Sequence, residues 1–287
     1  MGILYIVATP IGNLSDMTYR AVEILKTVKY IAAEDTRHVI PLLKRYTISA
    51  NLLISLHKYN EYEKCSMVLD KIKNENCDIA LVSDAGTPCI SDPGTKLVAL
   101  ARERNINVIG IPGASAAILA ASISGLDTAH FAFLGFFPRD SKNKKIVIEQ
   151  MKSEIIKTFI IYESPLRIIK TLACLAEHFP HAVIMIGNDL TKMFEYSASG
   201  PIADIITLLE NKEHAEKGEY VIVIEPRYVS VKSNDCLSPE ALLVNEMVLG
   251  NITLKEAVKS LAVKSKTNKQ IVYKASLHLK KIFGLKT

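Results

Sequence analysis

The 287-residue chain contains no tryptophan, and its five cysteines are few, odd in number and scattered. Cys65, Cys77, Cys89, Cys174 and Cys236 never fall at CxxC spacing. That argues against a disulfide framework or a cysteine-based zinc site, and makes a reducing cytoplasm the expected setting. His178 and His181 flank Phe179-Pro180 with no cysteine or carboxylate at ligand spacing, so no metal is expected. There is no GxxxxGK[ST], no GxGxxG and no HExxH. Phosphate-loop ATPase, dinucleotide dehydrogenase and zincin readings therefore lose their main support. Ile3–Ala8 has no basic lead and runs at once into Thr9-Pro10-Ile11-Gly12-Asn13, so no secretory signal is expected there. Asn105–Leu126 lacks charge, but Gly110, Pro112, Gly113 and Gly125 interrupt it. It divides better into a strand, a turn and a small-residue helix than into a membrane span.

What is present is enough apolar material for a sizeable core: 49% of residues are hydrophobic. Net charge is +5, unevenly spread. Residues 1–229 carry 25 basic and 26 acidic side chains, whereas 230–287 carry 10 and 4. From Ile252 onward nine lysines face one acid, Glu256. Such asymmetry points to a basic terminal module with an anionic partner, although a solvated lysine face has the same signature.

Short β-rich runs alternate with amphipathic ones. Expected strands are Leu4–Ala8, Tyr30–Ala33, Leu52–Ser55, Ile79–Ser83 and Val108–Ile111. Expected helices are Thr18–Thr27, Arg37–Arg45, Glu61–Asn74 and Lys96–Arg104, followed by a small-residue helix at Ala114–Ser122. This is the rhythm of a mostly parallel α/β sheet. A second αβ series has strands at Phe131–Gly135, Thr158–Tyr162, Ala182–Gly187, Glu195–Ser199 and Tyr220–Glu225. Its helices are Lys144–Lys152, Leu166–Glu177 and Ile202–Leu209, and its sparser helices imply a mixed sheet. Residues 137–145 read as a basic, turn-rich loop, either a surface loop or a flap touching phosphate. Tyr228–Leu237 reads as a linker. Beyond it lie helices at Pro239–Val248, Thr253–Val263 and Asn268–Ile282. Ser238 is placed to start the first, Gly250 to end it, and Thr253 with Glu256 to form a capping box. The expected domains are therefore 1–124, 125–229 and a basic helical module at 238–287. Three short helices with a basic last one can present a helix to nucleic acid, or form a plain dimerisation bundle.

The loop Ser83–Gly94 holds two Gly, two Pro, two Asp and two Ser directly after an apolar strand. Rigid turns at strand carboxyl ends are where α/β sheets bind ligands. Two further turns, Thr9–Leu14 and Ile111–Ala116, follow other strands of the same series. In a parallel sheet all three share one edge and can line one cleft. For hydroxyl chemistry the candidate bases are Glu34, Asp35 and Glu163. Asp35 is also placed to cap a helix, and Arg37 suits bidentate phosphate contact. Lys192 serves as a base only if burial lowers its pKa, and otherwise holds phosphate or is a solvated lysine beside a strand.

Six segments together resemble the tetrapyrrole methylase family, and most closely its ribosomal RNA branch: Leu4–Leu14, Ala32–Arg37, Ala80–Gly94, Ile111–Ala116, Tyr162–Pro165 and Leu190–Lys192. They occur in order across essentially the whole chain. The resemblance implies two αβ domains with S-adenosyl-L-methionine bound in the cleft between them, plus the small C-terminal module. It implies methyl transfer to the ribose 2′-hydroxyl of a cytidine in small-subunit (16S) ribosomal RNA, with the 30S subunit as partner, by a homodimer. By the same resemblance, Pro10, Asp84, Ala85, Gly86, Thr87, Ile90, Ser115, Ala116, Tyr162, Glu163 and Leu190 lie at the cofactor. Glu34, Asp35, Arg37 and Lys192 are left as catalytic candidates. The chain departs from the family pattern at Leu166, usually His, and at Asn188-Asp189, usually Arg-Glu. A tetrapyrrole or other small-molecule methylase, and a non-catalytic RNA-binding protein, are the alternatives. The basic module argues against the first and the intact Gly/Pro turns against the second.

Overall fold

The computed structural model describes residues 2–48, 52–152, 155–227, 238–264 and 269–283. The segment read as a linker, Tyr228–Leu237, and the expected helix start at Asn268 lie outside the described residues. The chain separates into two units, Met1–Tyr228 and Val229–Thr287.

The first unit begins with an all-parallel sheet. Its strands are β1 (Ile3–Val7), β2 (Tyr30–Ala33), β3 (Leu52–Ser55), β4 (Ile79–Val82) and β5 (Asn107–Ile111), in spatial order β3-β2-β4-β1-β5. The two-residue period of a strand sends alternate side chains to opposite faces. Tyr30, Ala32, Ile79 and Leu81 point to one layer, packed by α3 (Glu61–Asn74) and α4 (Thr95–Glu103). Ile31, Ala33, Ala80 and Val82 point to the other, packed by α1 (Tyr19–Thr27) and α2 (Thr36–Arg45). Both faces being covered explains why β2 and β4 are buried at every position. The connection from β1 runs toward β2 and that from β4 toward β5, so the chain leaves this neighbouring pair in opposite directions. Their carboxyl edge is a topological switch point, the usual ligand crevice of such sheets.

The second sheet is mixed, as expected. Its strands are β6 (Phe131–Phe136), β7 (Thr158–Glu163), β8 (Val183–Asn188), β9 (Tyr196–Pro201) and β10 (Tyr220–Glu225), ordered β6-β7-β10-β8-β9. Only β6 and β7 pair in parallel; β10 runs antiparallel between β7 and β8. One face packs α6 (Ser141–Met151), α7 (Ile168–His178) and α8 (Ile202–Glu210). Against the other lies α5 (Ala116–Ile123), whose Ala117, Ala120 and Ala121 meet Ile160, Met185, Val221 and Val223. Small side chains let α5 approach this sheet closely, and in doing so it ties the two halves of the unit together. The uncharged stretch Asn105–Leu126 is thus β5, a turn and α5, and among the described residues no helix is long and apolar enough to cross a membrane.

Two local expectations change. The basic loop at 137–145 is shorter: Asp140 accepts from the Asn143 N–H at 2.9 Å and starts α6 at Ser141. Lys142 and Lys144 therefore sit on the first turn of a helix and Lys145 directly after it. In the second unit, Gly250 is the last residue of α9 (Pro239–Gly250), and Asn251, at φ 47°, makes the left-handed exit. Ser238 caps α9 through Ala241 N–H, and Thr253 and Glu256 form the expected capping box at the start of α10 (Leu254–Lys264). With α11 (Lys269–Phe283) these helices close around Leu243, Leu254, Ala257, Leu261, Val272, Ala275 and Leu279.

Candidate active site

Three strand-end turns are stitched into one wall. Thr9 and Gly86 exchange two backbone hydrogen bonds, at 2.9 and 3.0 Å. The Thr9 hydroxyl donates to Ser83 O at 3.1 Å, and the Ser83 hydroxyl to Gly86 O at 2.9 Å. The Thr87 hydroxyl reaches Ala114 O at 3.0 Å, joining the β4 turn to the β5 turn. The β4 loop is strained: Gly86, Cys89, Ser91 and Gly94 have φ of 87°, 72°, 66° and 122°. A Cβ on Gly94 would strike the Leu81 side chain and approach Cys89 Sγ to 2.9 Å. Buried Glu61 fastens the loop's far end, accepting from Gly94 N–H at 2.9 Å and Lys96 N–H at 3.3 Å. Burial pushes the Cys89 thiol up to about 11, so it is no nucleophile.

This wall faces the second sheet across a cavity of about 360 Å³. Asp84, Ala85, Gly86, Thr87, Ile90, Ser115, Ala116, Tyr162, Glu163 and Leu190, all expected at a cofactor, line it. Pro10 does not: it is buried, and Ile11 forms the wall at that turn. Of the four catalytic candidates only Glu34 lines the cavity; Asp35, Arg37 and Lys192 do not.

Asp35 is a helix cap, accepting from Arg37 N–H at 2.8 Å, and its Oδ2 pairs with Arg37 at 2.6 Å. Those bonds hold its carboxyl down at about 2, so it is a poor proton acceptor. Glu34 behaves oppositely. Burial and the nearby charge of Asp84 raise its pKa, against the lowering influence of His57 and His38. Asp84 is engaged on both oxygens, by Asp35 N–H at 3.1 Å and His38 Nδ1 at 2.7 Å. The bond and charge of Asp84 raise the His38 pKa in turn.

On the opposite wall Glu163 is buried and fully used. It accepts from Ser164 N–H at 2.7 Å and the Thr171 hydroxyl at 2.5 Å, and pairs with Arg167 at 3.2 Å. Arg167 also donates to Phe137 O and Pro138 O, while the departing residue Leu166 is exposed. Such a carboxylate, with both oxygens engaged, braces the corner. The Tyr162 hydroxyl accepts Ala117 N–H at 3.1 Å, which fixes the start of α5 at the cavity. Asn188, the other departure, is buried and bridges the Lys217 carbonyl and the Lys212 ammonium. Lys192 lies at 2.9 Å from both Asp189 and Glu219. Burial works to lower its pKa, but these hydrogen bonds prevail and raise it. The condition under which Lys192 would be a base is therefore not met; it is a cation.

Sequence reasoning missed part of the lining. Phe136, Ser164, Pro165, Glu219, Tyr220 and Val221 also face the cavity. The last three arrive because β10 returns antiparallel through the middle of the second sheet, and no local motif announces that. Ser91 and Asp92 also line it, and they were in plain sight within the Ser83–Gly94 loop.

Residues 3–206 match the model of the tetrapyrrole (corrin/porphyrin) methylases. The chain is 41% identical over 285 residues to the ribosomal RNA small subunit methyltransferase I of Haemophilus influenzae, covering 98% of each chain. To the protein of that name from Synechocystis it is 40% identical, covering 97% of this chain and 99% of the relative. Among solved structures it is similar to diphthine synthase, with a TM-score of 0.61 at 11% identity, covering 82% of this chain and 94% of that one. A uroporphyrin-III C-methyltransferase of Thermus thermophilus, complexed with S-adenosyl homocysteine, gives 0.53 at 16%, covering 77% and 97%. At such low identity these two establish the fold alone, and it is the two-sheet architecture expected from the sequence. The chain belongs to the tetrapyrrole (corrin/porphyrin) methylase family, among the relatives called ribosomal RNA small subunit methyltransferase I.

Proposed function

We propose that this protein transfers the methyl group of S-adenosylmethionine to the ribose 2′-hydroxyl of a cytidine in small-subunit ribosomal RNA. The observation that carries the reading is the cavity at the switch point, walled by the three stitched turns. At about 360 Å³ it is of the size that holds a small-molecule ligand, roughly 300–1,000 Å³. Its chemistry fits the donor. Ala85, Gly86, Ser115 and Ala116 offer backbone rather than bulk, and Ile11, Ile90 and Leu190 offer apolar contact. Glu34, Asp84 and Glu219 supply negative charge for a cationic ligand. When bound, S-adenosylmethionine supplies an electrophilic methyl carbon on a positively charged sulfur. Because the displacement is in-line, orientation contributes much of the acceleration, and a rigid, bonded cradle provides it.

The RNA reading draws on the relatives and on cations outside the cavity. Arg139, Lys142, Lys144 and Lys145 stand at the start of α6, where a helix end repels cations, so an anionic partner there relieves them. Lys255, Lys259, Lys274, Lys280 and Lys281 on α10 and α11 add a sequence-independent hold on phosphate. Within the same reading Arg37 and Lys192 act as phosphate contacts. A second copy of the chain is proposed to cover the groove where exposed Ile90, Ile118 and Phe131 meet, which implies a homodimer. The protein is placed in the cytoplasm with its RNA; Cys65, Cys77, Cys89 and Cys174 are free thiols, as that compartment favours.

The test is transfer of labelled methyl to 30S subunits lacking the modification, to free 16S RNA and to a tetrapyrrole precursor. Label at one cytidine, resistant to alkali, is the expected result. Label in the tetrapyrrole, or in none of the three, contradicts it.

A further inference from the structure

Five carboxylates line the cavity: Glu34, Asp84, Asp92, Glu163 and Glu219. Three are committed. Asp84 is bonded on both oxygens, Glu163 is braced by Ser164, Thr171 and Arg167, and Glu219 pairs with the Lys192 ammonium. Glu34 and Asp92 remain, and their surroundings differ. Glu34 sits at the end of β2 beside His57 and His38, which act to lower its pKa against burial and the acids around it. Asp92 has no such cation. It faces Glu34 from β2, Asp84 from the head of its own loop, and Tyr162 across the cavity on β7, with Cys89 in its own turn and the Ser83 hydroxyl at its side. It is carried between Ser91 and Gly94, at the most strained stretch of the loop, and Glu61 holds that stretch from behind.

Resting on the methyl-transfer reading above, we infer that Asp92 is the catalytic base that receives the ribose hydroxyl proton, with Glu34 as the positioning residue that keeps Asp92 basic. The 2′-oxygen forms its new bond to the methyl carbon with its own lone pair. The carbon–sulfur bond pair departs with sulfur and neutralises it. The hydroxyl proton passes to an Asp92 carboxylate oxygen and from there to water, so charge and atoms balance without another reactant. Burial, then the charges of Glu34 and Asp84, push the Asp92 carboxyl up to about 6. At neutral pH it is therefore ionised, yet far more basic than a solvated aspartate, the compromise a general base requires.

The test uses the full-length protein and its Asp92→Asn and Glu34→Gln variants. Carbon-13 NMR of the side-chain carboxyls, without donor or RNA, is followed against pH, alongside donor affinity by calorimetry and methyl transfer to 30S subunits against pH. The expected spectrum has one carboxyl titrating near pH 6, absent from Asp92→Asn and moved to lower pH in Glu34→Gln. Turnover of Asp92→Asn falls about 100-fold or more while donor affinity stays within about threefold. The acid limb of the Glu34→Gln rate profile moves down with the NMR midpoint. Near-normal turnover in Asp92→Asn, loss of donor binding in place of turnover, or an unmoved midpoint in Glu34→Gln overturns the assignment. A wild-type protein that methylates no RNA overturns the proposed function and this role with it. An active wild type with an active Asp92→Asn overturns only the role.

Discussion

Asp92 is a carboxyl whose ionisation the fold opposes, and that opposition has a measurable cost. Its folded value of about 6 exceeds the ordinary 3.8, so the folded state binds the proton more tightly than the unfolded chain. Stability from this group is present below pH 4 and is lost as pH rises to about 6. Asp92→Asn removes the penalty, and its melting temperature at pH 7.5 is expected to exceed that of the wild type. A lower melting point there contradicts the assigned environment. Two other residues make the opposite prediction. Gly94→Ala puts a Cβ against Leu81 and Cys89 at φ 122°, and is expected to cost about 3 kcal/mol in denaturant unfolding. Arg167→Met leaves Glu163 buried without its cation, at a cost of about 3–5 kcal/mol by the same measurement.

Among the elements, α5 does the most to join the two halves, because its alanines lie flush on β7, β8 and β10. Ala120→Leu overpacks that contact by about 1–3 kcal/mol. The same change displaces Ala116 and Ser115, so donor affinity measured by calorimetry is expected to fall as well; unchanged affinity contradicts the role given to α5. Much of this architecture was legible beforehand. The continuous apolar runs Tyr30–Ala33 and Ile79–Val82 suit strands buried on both faces, and the Gly/Pro turns marked the ligand edge. The small residues of Ala114–Ser122 announced close packing, but not its partner, since contact with β10 joins residues about a hundred positions apart. Residues 141–143 were read as part of a basic, turn-rich loop, whereas Asp140 capping decides the boundary. Glu219, Tyr220 and Val221 enter the cavity only through the antiparallel return of β10. Asp92 was visible as a letter in a turn; that it lies among Glu34, Asp84 and Tyr162 is a fact of tertiary structure.

At the scale of the whole molecule, the proposed function has an acidic cavity serving a cationic donor and lysines elsewhere serving an anionic acceptor. Replacing Lys274, Lys280 and Lys281 together by Gln is expected to leave donor affinity intact. RNA affinity is expected to fall, with the slope of log K against log salt reduced by about one per lysine that touches phosphate. An unchanged slope contradicts a grip by α11. A second copy over Ile90, Ile118 and Phe131 predicts a dimer in sedimentation, and Ile118→Glu is expected to yield monomer; a wild-type monomer contradicts it. The most direct measurement is methyl transfer from labelled S-adenosylmethionine to 30S subunits from cells lacking the protein, followed by mapping of the label. Incorporation at the ribose of a single cytidine is the predicted result. Incorporation into a base, into a tetrapyrrole, or into neither acceptor while the donor binds contradicts it.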